Sequence, residues 1–217
     1  MAVITVSSSF GSGGSVVARL VADGLGWELH NRAIPMEVAA RLSVPLESAL
    51  ANDEVSENRL GRLLANYAVQ LASASPSTVP AEVFMREGSF KEQSESIIHD
   101  LAASSNCVIV GRAAAIVLGD VDSALHVRLD GGPQLRAVEA AKALNISIEE
   151  STRRLIATDR ARSLYVKHFY GRDWADSKLY HVVLNSTVIR IGVCADIVIA
   201  AAADRFAAIG VTAYDES

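Results

Sequence analysis

The sequence predicts an α/β fold in which a parallel β-sheet carries helices on both faces. Short apolar runs typical of buried strands alternate with longer segments whose apolar residues recur every three to four positions, as in amphipathic helices. The first strand and the first helix are joined by a turn rich in Ser and Gly. This alternation favours parallel strands joined by right-handed crossovers.

The composition suits one large folded domain of 217 residues. Half of the residues are hydrophobic and 21% are charged, which is unlike a disordered chain. The net charge of −5 gives no reason to expect a nucleic-acid partner. Cys107 and Cys194 form no CxxC pair and are expected to be buried free thiols, as in a reducing cytosol. With no signal peptide or membrane-spanning stretch apparent, we expect a cytoplasmic protein without a membrane partner.

The apolar runs place the individual elements. Strands are predicted at Ala2–Val6, Trp27–His30, Cys107–Val110, Ala124–Leu129 and His181–Leu184. The first helix follows the Gly-rich turn and stops at Gly26. Residues 34–104 are predicted to be almost wholly helical, apart from a Ser- and Pro-rich break at Ser73–Pro80. Val188–Ala203 is predicted as the final helix.

Residues with a strong preference for helix ends mark two further boundaries. Pro133 suits the first position of a helix. Ser147 and Glu150 form a capping box for a second helix, which is predicted to run to about Leu164. The aromatic and charged segment Tyr165–Asp176 is then predicted as a loop or lid.

The turn after the first strand resembles a phosphate-binding loop. The Walker pattern is G-x-x-x-x-G-K-[ST]. With Ser15 at the Ser/Thr position, Gly13 matches the second glycine, whereas Ser8 replaces the first glycine and Gly14 replaces the lysine. Glycines let successive N–H groups surround an anion, and the helix adds its positive N-terminal end. A flexible turn is the alternative, but the position between strand and helix favours anion binding.

The predicted phosphate-binding residues form one continuous segment, with Ser15 also a candidate Mg²⁺ ligand. They are Phe10, Gly11, Ser12, Gly13, Gly14, Ser15 and Val16. In other P-loop proteins the lysine reaches the β- and γ-phosphates and neutralises charge during transfer. No lysine precedes Lys91 in this chain, so an arginine from elsewhere has to supply that charge.

Short motifs, beginning with the strand before this loop, occur in a characteristic order along nearly the whole chain. They are Val3-Ile4-Thr5-Val6, Gly11-Ser12-Gly13-Gly14, His30-Asn31-Arg32, Val108-Ile109-Val110-Gly111-Arg112, Asp159-Arg160-Ala161-Arg162, Tyr165, Gly171-Arg172-Asp173-Trp174 and Leu184-Asn185-Ser186. In order and spacing they resemble the cytidylate-kinase-like family, relatives of bacterial cytidylate kinase among the nucleoside monophosphate kinases. The absence of the lysine is also a feature of that family.

This resemblance implies a single three-layer P-loop kinase domain over residues 1–217. It implies a five-stranded parallel sheet with helices on both faces, a helical NMP-binding insert at 33–104 and a lid at 153–176. The implied activity is ATP- and Mg²⁺-dependent transfer of a phosphoryl group to a small acceptor such as a nucleoside monophosphate. The alternative is a catalytically weak or inactive nucleotide-binding regulatory protein of the same fold, and a kinase for another small molecule is a third possibility. Homo-oligomer formation is left open.

Two motifs depart from bacterial cytidylate kinase, and both departures concern recognition of the base. Its G-R-D motif stands here as Gly111-Arg112-Ala113, and its Asp-Ser pair after the last strand stands here as Asn185-Ser186. Phosphate-handling groups are therefore retained better than base-reading groups.

Four candidate substrate residues follow predicted strands. Arg112 lies at the carboxyl end of a buried strand, where ligands bind in open α/β sheets. Arg32 either holds the acceptor phosphate or is a surface arginine, and Asn31 either contacts the substrate or caps a helix. Asn185 carries an amide that can pair with a base edge.

Four arginines crowd the helix that is predicted to run to about Leu164, inside the implied lid region at 153–176, namely Arg153, Arg154, Arg160 and Arg162. Asp159 and Arg162 match the D-x-x-R motif of the family lid. Arginines make bidentate contacts to phosphates, so Arg162 and Arg160 are the candidate catalytic residues. Asp159 is expected to orient an arginine. The nearby aromatic residues either stack a base or, more simply, pack against the helix.

Overall fold

The computed structural model describes residues 1–31 and 81–210, with the backbone alone for 81–90. Within these ranges the strands are β1 (Val3–Ser8), β2 (Glu28–His30), β3 (Cys107–Val110), β4 (Ala124–Asp130) and β5 (Val182–Asn185). The helices are α1 (Gly14–Leu25), α2 (Ala81–Ser104), α3 (Ala114–Val117), α4 (Pro133–Leu144), α5 (Ile148–Tyr170) and α6 (Ile191–Ala208). A short 3₁₀ turn spans Ser177–Leu179.

The five strands form one parallel sheet in the order β2-β3-β1-β4-β5, which confirms the predicted fold class. β1 is the central strand, and its first residue, Val3, pairs with Cys107 of β3 and with Ala124 of β4. The carboxyl ends of parallel strands meet at one edge of a sheet. The turns that follow β1, β3, β4 and β5 therefore share that edge.

Apolar side chains cover both faces of the sheet. On the first face, Ile4 and Val127 belong to a buried cluster with residues of α1 and α6, including Phe206. On the second face, Val3 belongs to a smaller cluster that contains Ile97 of α2. Burying both faces produces the three layers that were predicted.

Part of the second face is polar. Successive residues of a strand point to opposite faces, so Thr5 and Ser7 of β1 lie on the same side as His126, Arg128 and Asp130 of β4. A 2.8 Å contact between Thr5 Oγ1 and His126 Nδ1 agrees with this placement. The sheet is thus apolar around β3 and lined with hydrogen-bonding groups along β4.

The predicted helix-end residues act as expected. Gly26 ends α1 with a φ of 69°, and Pro133 is the first residue of α4. The Ser147 side chain accepts a hydrogen bond of 3.1 Å from the Glu150 N–H, which caps α5. Cys107 and Cys194 are buried free thiols, and burial is the main cause that raises the pKa of Cys107 to about 12.

Two of the predicted helices have wrong boundaries. α5 runs to Tyr170 instead of ending near Leu164, so the first half of the predicted loop is helical. Tyr165 and Phe169, four residues apart, place their rings 4.9 Å from each other on this helix, a spacing that stabilises it. Gly171, with a φ of 65°, ends it. The last helix spans Ile191–Ala208, so it begins three residues and ends five residues later than predicted.

Residues 32–80 lie outside the described part of the chain, and with them lie Arg32, the break at Ser73–Pro80 and most of the predicted insert at 33–104. The remainder of that insert is helical, since α2 covers Ala81–Ser104. No helix in the described ranges is long and apolar enough to cross a membrane.

Candidate functional site

The turn between β1 and α1 is held in place by serine hydrogen bonds. The Ser12 hydroxyl donates to the Ser9 carbonyl at 2.7 Å and to the Leu129 carbonyl at 3.2 Å. The Ser9 N–H donates to the same Leu129 carbonyl at 3.1 Å. Gly11 and Gly13 have φ values of 76° and 73°, which glycine adopts without strain.

This turn presents the first N–H groups of α1. Gly14 and Ser15 occupy the first helical positions, where no carbonyl of a preceding turn can accept a hydrogen bond. Gly13, the residue before the helix, has no side chain that could accept one instead. Such N–H groups, together with the helix dipole, attract anions. The geometry therefore suits the predicted phosphate-binding segment.

Neighbouring helices press closely on the glycines of the turn. A Cβ added to Gly11 would collide with the Arg136 carbonyl of α4. A Cβ added to Gly13 would lie 2.5 Å from Cδ1 of Ile191. At Gly11 a larger residue would have to displace backbone, whereas at Gly13 it would be strained by the φ of 73° and would push aside the end of the Ile191 side chain.

Asp159 ties α5 to the loop. Its Oδ1 accepts a hydrogen bond of 2.8 Å from the Phe10 N–H, and its Oδ2 accepts one of 2.7 Å from Arg136 Nη1. Arg136 Nη1 also donates to the Phe10 carbonyl at 2.8 Å. Asp159 therefore orients an arginine, as predicted, and that arginine is Arg136. Arg162 is farther away, with 3.9 Å between its Nη1 and Asp159 Oδ1.

Arg162 reaches the start of the loop. Its Nη1 donates a hydrogen bond of 2.8 Å to the carbonyl of Ser8, and 38% of its side chain remains exposed. Arg160 is exposed, and a separation of two residues turns it about 200° around the helix from Arg162. The structure thus brings Arg162 to the loop and leaves Arg160 facing away.

The other two arginines of the cluster lie on the solvent side of α5. Arg153 Nη2 is 2.6 Å and Arg154 Nε is 2.8 Å from the carboxylate of Glu150. Both are surface ion pairs, which contribute little to stability.

A buried arginine, which the sequence analysis did not single out, lies beneath the loop. Arg128 on β4 is 4% exposed in its side chain. Its Nη2 donates to Ser9 Oγ at 3.2 Å and to Asp130 Oδ2 at 3.1 Å. Burial alone would raise the pKa of Asp130, but hydrogen bonds from the Gly131 N–H, Ser9 and Arg128 outweigh it and lower that pKa. Asp130 is therefore held as a carboxylate beside Arg128.

The segment after α5 packs on this arginine. The guanidinium carbon of Arg128 lies 4.1 Å from the centre of the Trp174 ring, and its Nη1 donates to the Trp174 carbonyl at 3.2 Å. Trp174 Nε1 in turn donates to Ser7 Oγ at 3.0 Å, and the Tyr180 hydroxyl donates to the Trp174 carbonyl at 2.9 Å. Trp174 is buried in this packing against β1 and β4, whereas the simpler prediction had placed the aromatic residues against the helix.

The alternation of residues along β4 was the sequence feature that could have revealed Arg128. Polar His126, Arg128 and Asp130 alternate with apolar residues in a run that was interpreted as a buried strand. Arg136 gave no comparable pattern, because the partners that connect it to the loop and to α5 lie far away in sequence. Its contact with Phe10, for example, spans 126 residues.

Two neighbouring residues at the end of β5 have different partners. Ser186 hydrogen-bonds to the loop, whereas Asn185, the last residue of β5, hydrogen-bonds to the turn that follows it. The Ser186 hydroxyl donates to the Ser12 carbonyl at 2.7 Å. Asn185 Oδ1 accepts hydrogen bonds from the N–H and the hydroxyl of Thr187, at 3.1 and 2.7 Å. Three strand spacings, about 14 Å, separate β5 from β3. Asn185 is therefore not brought together with Arg112.

Arg112 follows β3 in an unusual backbone conformation. Gly111, Arg112 and Ala113 have φ values of 73°, 58° and 53°, so three consecutive residues are left-handed. Non-glycine residues in this region cost about 1–3 kcal/mol each and concentrate at functional sites. Burial lowers the pKa of Arg112 to about 10, and the nearby Tyr165 of α5 opposes that shift. Asn31, after β2, is half-buried at the same edge of the sheet.

Comparison with known proteins agrees with this geometry. The model of the cytidylate kinase-like family matches residues 3–188. The chain belongs to the cytidylate kinase-like family. This confirms the resemblance found in the sequence. No curated protein matches the chain in sequence.

Solved structures share the fold of this cytidylate kinase-like protein at low sequence identity. An uncharacterized protein from Eubacterium ventriosum ATCC 27560 has a TM-score of 0.64 at 16% identity, over 93% of this chain and 98% of that chain. TT1252 from Thermus thermophilus has a TM-score of 0.51 at 15% identity, over 93% of this chain and 96% of that chain. A shikimate kinase from Acinetobacter baumannii, at 12% identity, covers 92% of this chain and 91% of its own, with a TM-score of 0.48.

A cytidylate kinase-like protein is expected to use a nucleotide, typically with Mg²⁺. Ser15 is exposed at the start of α1, where a hydroxyl can reach an ion carried by bound phosphates. Among the described residues, no three His, Cys, Asp or Glu side chains cluster as a metal site. Since Mg²⁺ commonly keeps waters and phosphate oxygens as ligands, Ser15 fits a nucleotide-borne ion.

Proposed function

We propose that this protein transfers the γ-phosphate of ATP to a small acceptor, a nucleoside monophosphate or a related compound. One observation carries the proposal: Arg162 Nη1 donates to the Ser8 carbonyl at 2.8 Å. This contact holds a partly exposed guanidinium at the start of a phosphate loop that lacks a lysine. Cations at this position stabilise the charge on the transferring phosphoryl group.

The charges around the loop support this role. Arg128, Arg136 and Arg162 face the loop or its supports, and Asp130 and Asp159 oppose them. Three positive charges against two negative charges leave an excess of one. Because Arg128 pairs with Asp130 and Arg136 pairs with Asp159, the excess charge is that of Arg162 on α5, which takes the place of the lysine in this proposal.

The acceptor is proposed to bind beside Arg112. Its strained backbone and buried guanidinium are features of a residue held for a ligand, and a guanidinium binds a phosphate bidentately. Ala113 offers no carboxylate for reading a base. We therefore expect CMP to have no large advantage over UMP or AMP as acceptor.

A nucleotide-binding regulatory protein is the second candidate, and one observation favours it. Gly14 stands where other P-loops have the lysine that neutralises charge during transfer, and its loss leaves a loop that still suits phosphate binding. In that case the protein binds ATP without turning it over.

The test combines binding and transfer. ATP with Mg²⁺ should raise the melting temperature, and a phosphate-transfer assay with CMP, UMP and AMP should then detect a product. Gly13→Val should abolish the thermal shift, because its Cβ would crowd Ile191 and its φ is 73°. Gly132→Ala, at a position with open space, is the matched control and should keep the shift.

The outcomes separate the candidates. Stabilisation by ATP without transfer to any acceptor favours the regulatory protein. Unchanged ATP affinity in folded Gly13→Val contradicts nucleotide binding at this loop. A CMP preference of about a hundredfold, roughly 2.7 kcal/mol, would show that a residue other than Ala113 reads the base.

A further inference from the structure

Gly14 has no conformational reason to be glycine. Gly11 and Gly13 adopt positive φ values, but Gly14 is the first residue of α1 and does not. In a helix, alanine is favoured over glycine by up to about 1 kcal/mol. The requirement for glycine therefore comes from the space around it.

That space is filled by Ser8. A Cβ on Gly14 would collide with both Cβ and Oγ of the Ser8 side chain, and no other residue is in hard contact with it. Gly14 is itself buried. Ser8 is the last residue of β1, so the two residues face each other across the loop.

These are the two positions at which the loop departs from the Walker pattern. The pattern has no side chain at the first position and a lysine at the second, whereas this chain has a side chain at Ser8 and none at Gly14. We propose that Ser8 and Gly14 form a reciprocal pair, in which the Ser8 side chain occupies the root of the path that a P-loop lysine would take. A lysine at position 14 is then compatible only with glycine at position 8.

The pair also gives Ser8 a positioning role. Its carbonyl accepts the hydrogen bond from Arg162, and its hydroxyl lies where the lysine stem would begin. A phosphate bound at this point would therefore face the neutral hydroxyl of Ser8, and the positive charge would come from Arg162 of α5. This part rests on the proposed function, whereas the exchange of side chains does not.

A double-mutant cycle in thermal stability tests the exchange without any nucleotide. Gly14→Ala should lower the melting temperature by roughly 5 °C, because it overpacks the loop. In the Ser8→Gly background the same change should cost about 1 °C or less. Gly192→Ala is the matched control, since Gly192 lies in the first turn of α6 with open space at its Cβ. It should not lower the melting temperature.

Two results would overturn the pair: Gly14→Ala melting no lower than Gly192→Ala, or an unchanged cost of Gly14→Ala in the Ser8→Gly background. If Gly14→Ala does not fold, recovery of a folded Ser8→Gly/Gly14→Ala protein supports the pair, and failure of both contradicts it.

Nucleotide affinity then tests the path itself. Ser8→Gly/Gly14→Lys should bind ADP about tenfold more tightly than Ser8→Gly in titration calorimetry, because the restored lysine reaches the β-phosphate. If Ser8→Gly removes the cost of Gly14→Ala but the lysine variant does not bind ADP more tightly, the Ser8–Gly14 pair is upheld and the role of the loop in nucleotide binding is contradicted. The two failures are thus distinguishable.

Discussion

Ionisable groups at the two ends of β4 have opposite electrostatic surroundings. At its carboxyl end, Arg128 is buried against the carboxylate of Asp130. Near its amino end, the ring of His126 stacks on that of His181 with 4.8 Å between centres, and Arg205 lies close by with its Nε donating to the Ala124 carbonyl at 2.7 Å. One end pairs opposite charges, and the other gathers groups of the same sign.

The pKa values follow this difference. Burial, the neighbouring His181 and Arg205 together lower the pKa of His126 to about 4, and the carbonyl of Leu118 opposes them only in part. Burial and Arg205 also lower the pKa of His181. The two histidines near the amino end are therefore held in their neutral form, whereas Asp130 at the carboxyl end is held as a carboxylate. A site for a polyanionic ligand needs fixed charges that are already paired and oriented, and only the carboxyl end offers them.

The largest expected effect is on turnover. Arg162→Ala should lower kcat about 100- to 1000-fold while changing the Kd of ATP little, because the guanidinium matters most when charge develops on the phosphoryl group. Steady-state kinetics and calorimetry measure the two quantities. Arg153→Ala, which removes an exposed arginine paired with Glu150, is the control. Equal losses in ATP affinity and in turnover would instead make Arg162 a ground-state binder.

The next effect is on stability. Arg128→Ala should lower the free energy of unfolding by about 2 kcal/mol, because it removes the guanidinium from Ser9 and from the Trp174 ring, while Asp130 is 39% exposed and keeps Arg136 Nε at 3.7 Å. Chemical denaturation of both proteins at pH 7 provides the comparison. A loss below about 1 kcal/mol would show that water replaces the arginine and that the charged end is not specially dependent on it.

His126 should make the protein sensitive to mild acid. Its folded pKa of about 4 lies below the ordinary value of 6.5, so the unfolded chain takes up the proton first as the pH falls. This contribution is fully present above pH 6.5 and is lost between pH 6.5 and 4. It should reach a loss of roughly 2 kcal/mol at pH 5 relative to pH 8.

His126→Gln separates this contribution from that of the carboxylates. Asp130 has a lowered pKa and loses its contribution only as the pH falls through its own folded pKa. Denaturation curves of the variant should therefore be flatter than those of the wild type between pH 8 and 5. Parallel curves would place the acid sensitivity in other groups.

The smallest expected effect is that of Arg160. Its side chain is exposed on the side of α5 that faces away from the loop. Arg160→Ala should keep kcat within about twofold of the wild type, as expected for a residue without contact to the phosphates. A loss as large as that of Arg162→Ala would show that α5 turns during the reaction and would restore Arg160 as a catalytic candidate.

Local patterns were sufficient to predict most of the fold. Gly26, Pro133 and Ser147 define helix ends through their own backbone or side-chain chemistry, so the sequence places them correctly. The end of α5 was misplaced because its aromatic residues suggested a loop. Their contacts along the helix, such as Tyr165 with Phe169, stabilise it instead.

The candidate site was predictable only in part. The loop glycines are visible in sequence because strand, turn and helix are consecutive. The network that supports the loop is not, because its members meet through tertiary structure. Ser9 and Arg128 are 119 residues apart, and Ser12 and Ser186 are 174 apart. No local pattern encodes such pairs, and Arg162 was found through the family motif.

The central position of β1 has a consequence for synthesis of the protein on the ribosome. Val3 pairs with Cys107 and Ala124, so β1 has no neighbour in the sheet until β3 and β4 have been translated. At about 5–20 residues per second, roughly 6–25 s pass before both neighbours exist. During that interval an apolar strand and the glycine turn behind it remain accessible to other nascent chains and to chaperones. The strand at the centre of the sheet is thus made about 100 residues before the strands that pair with it.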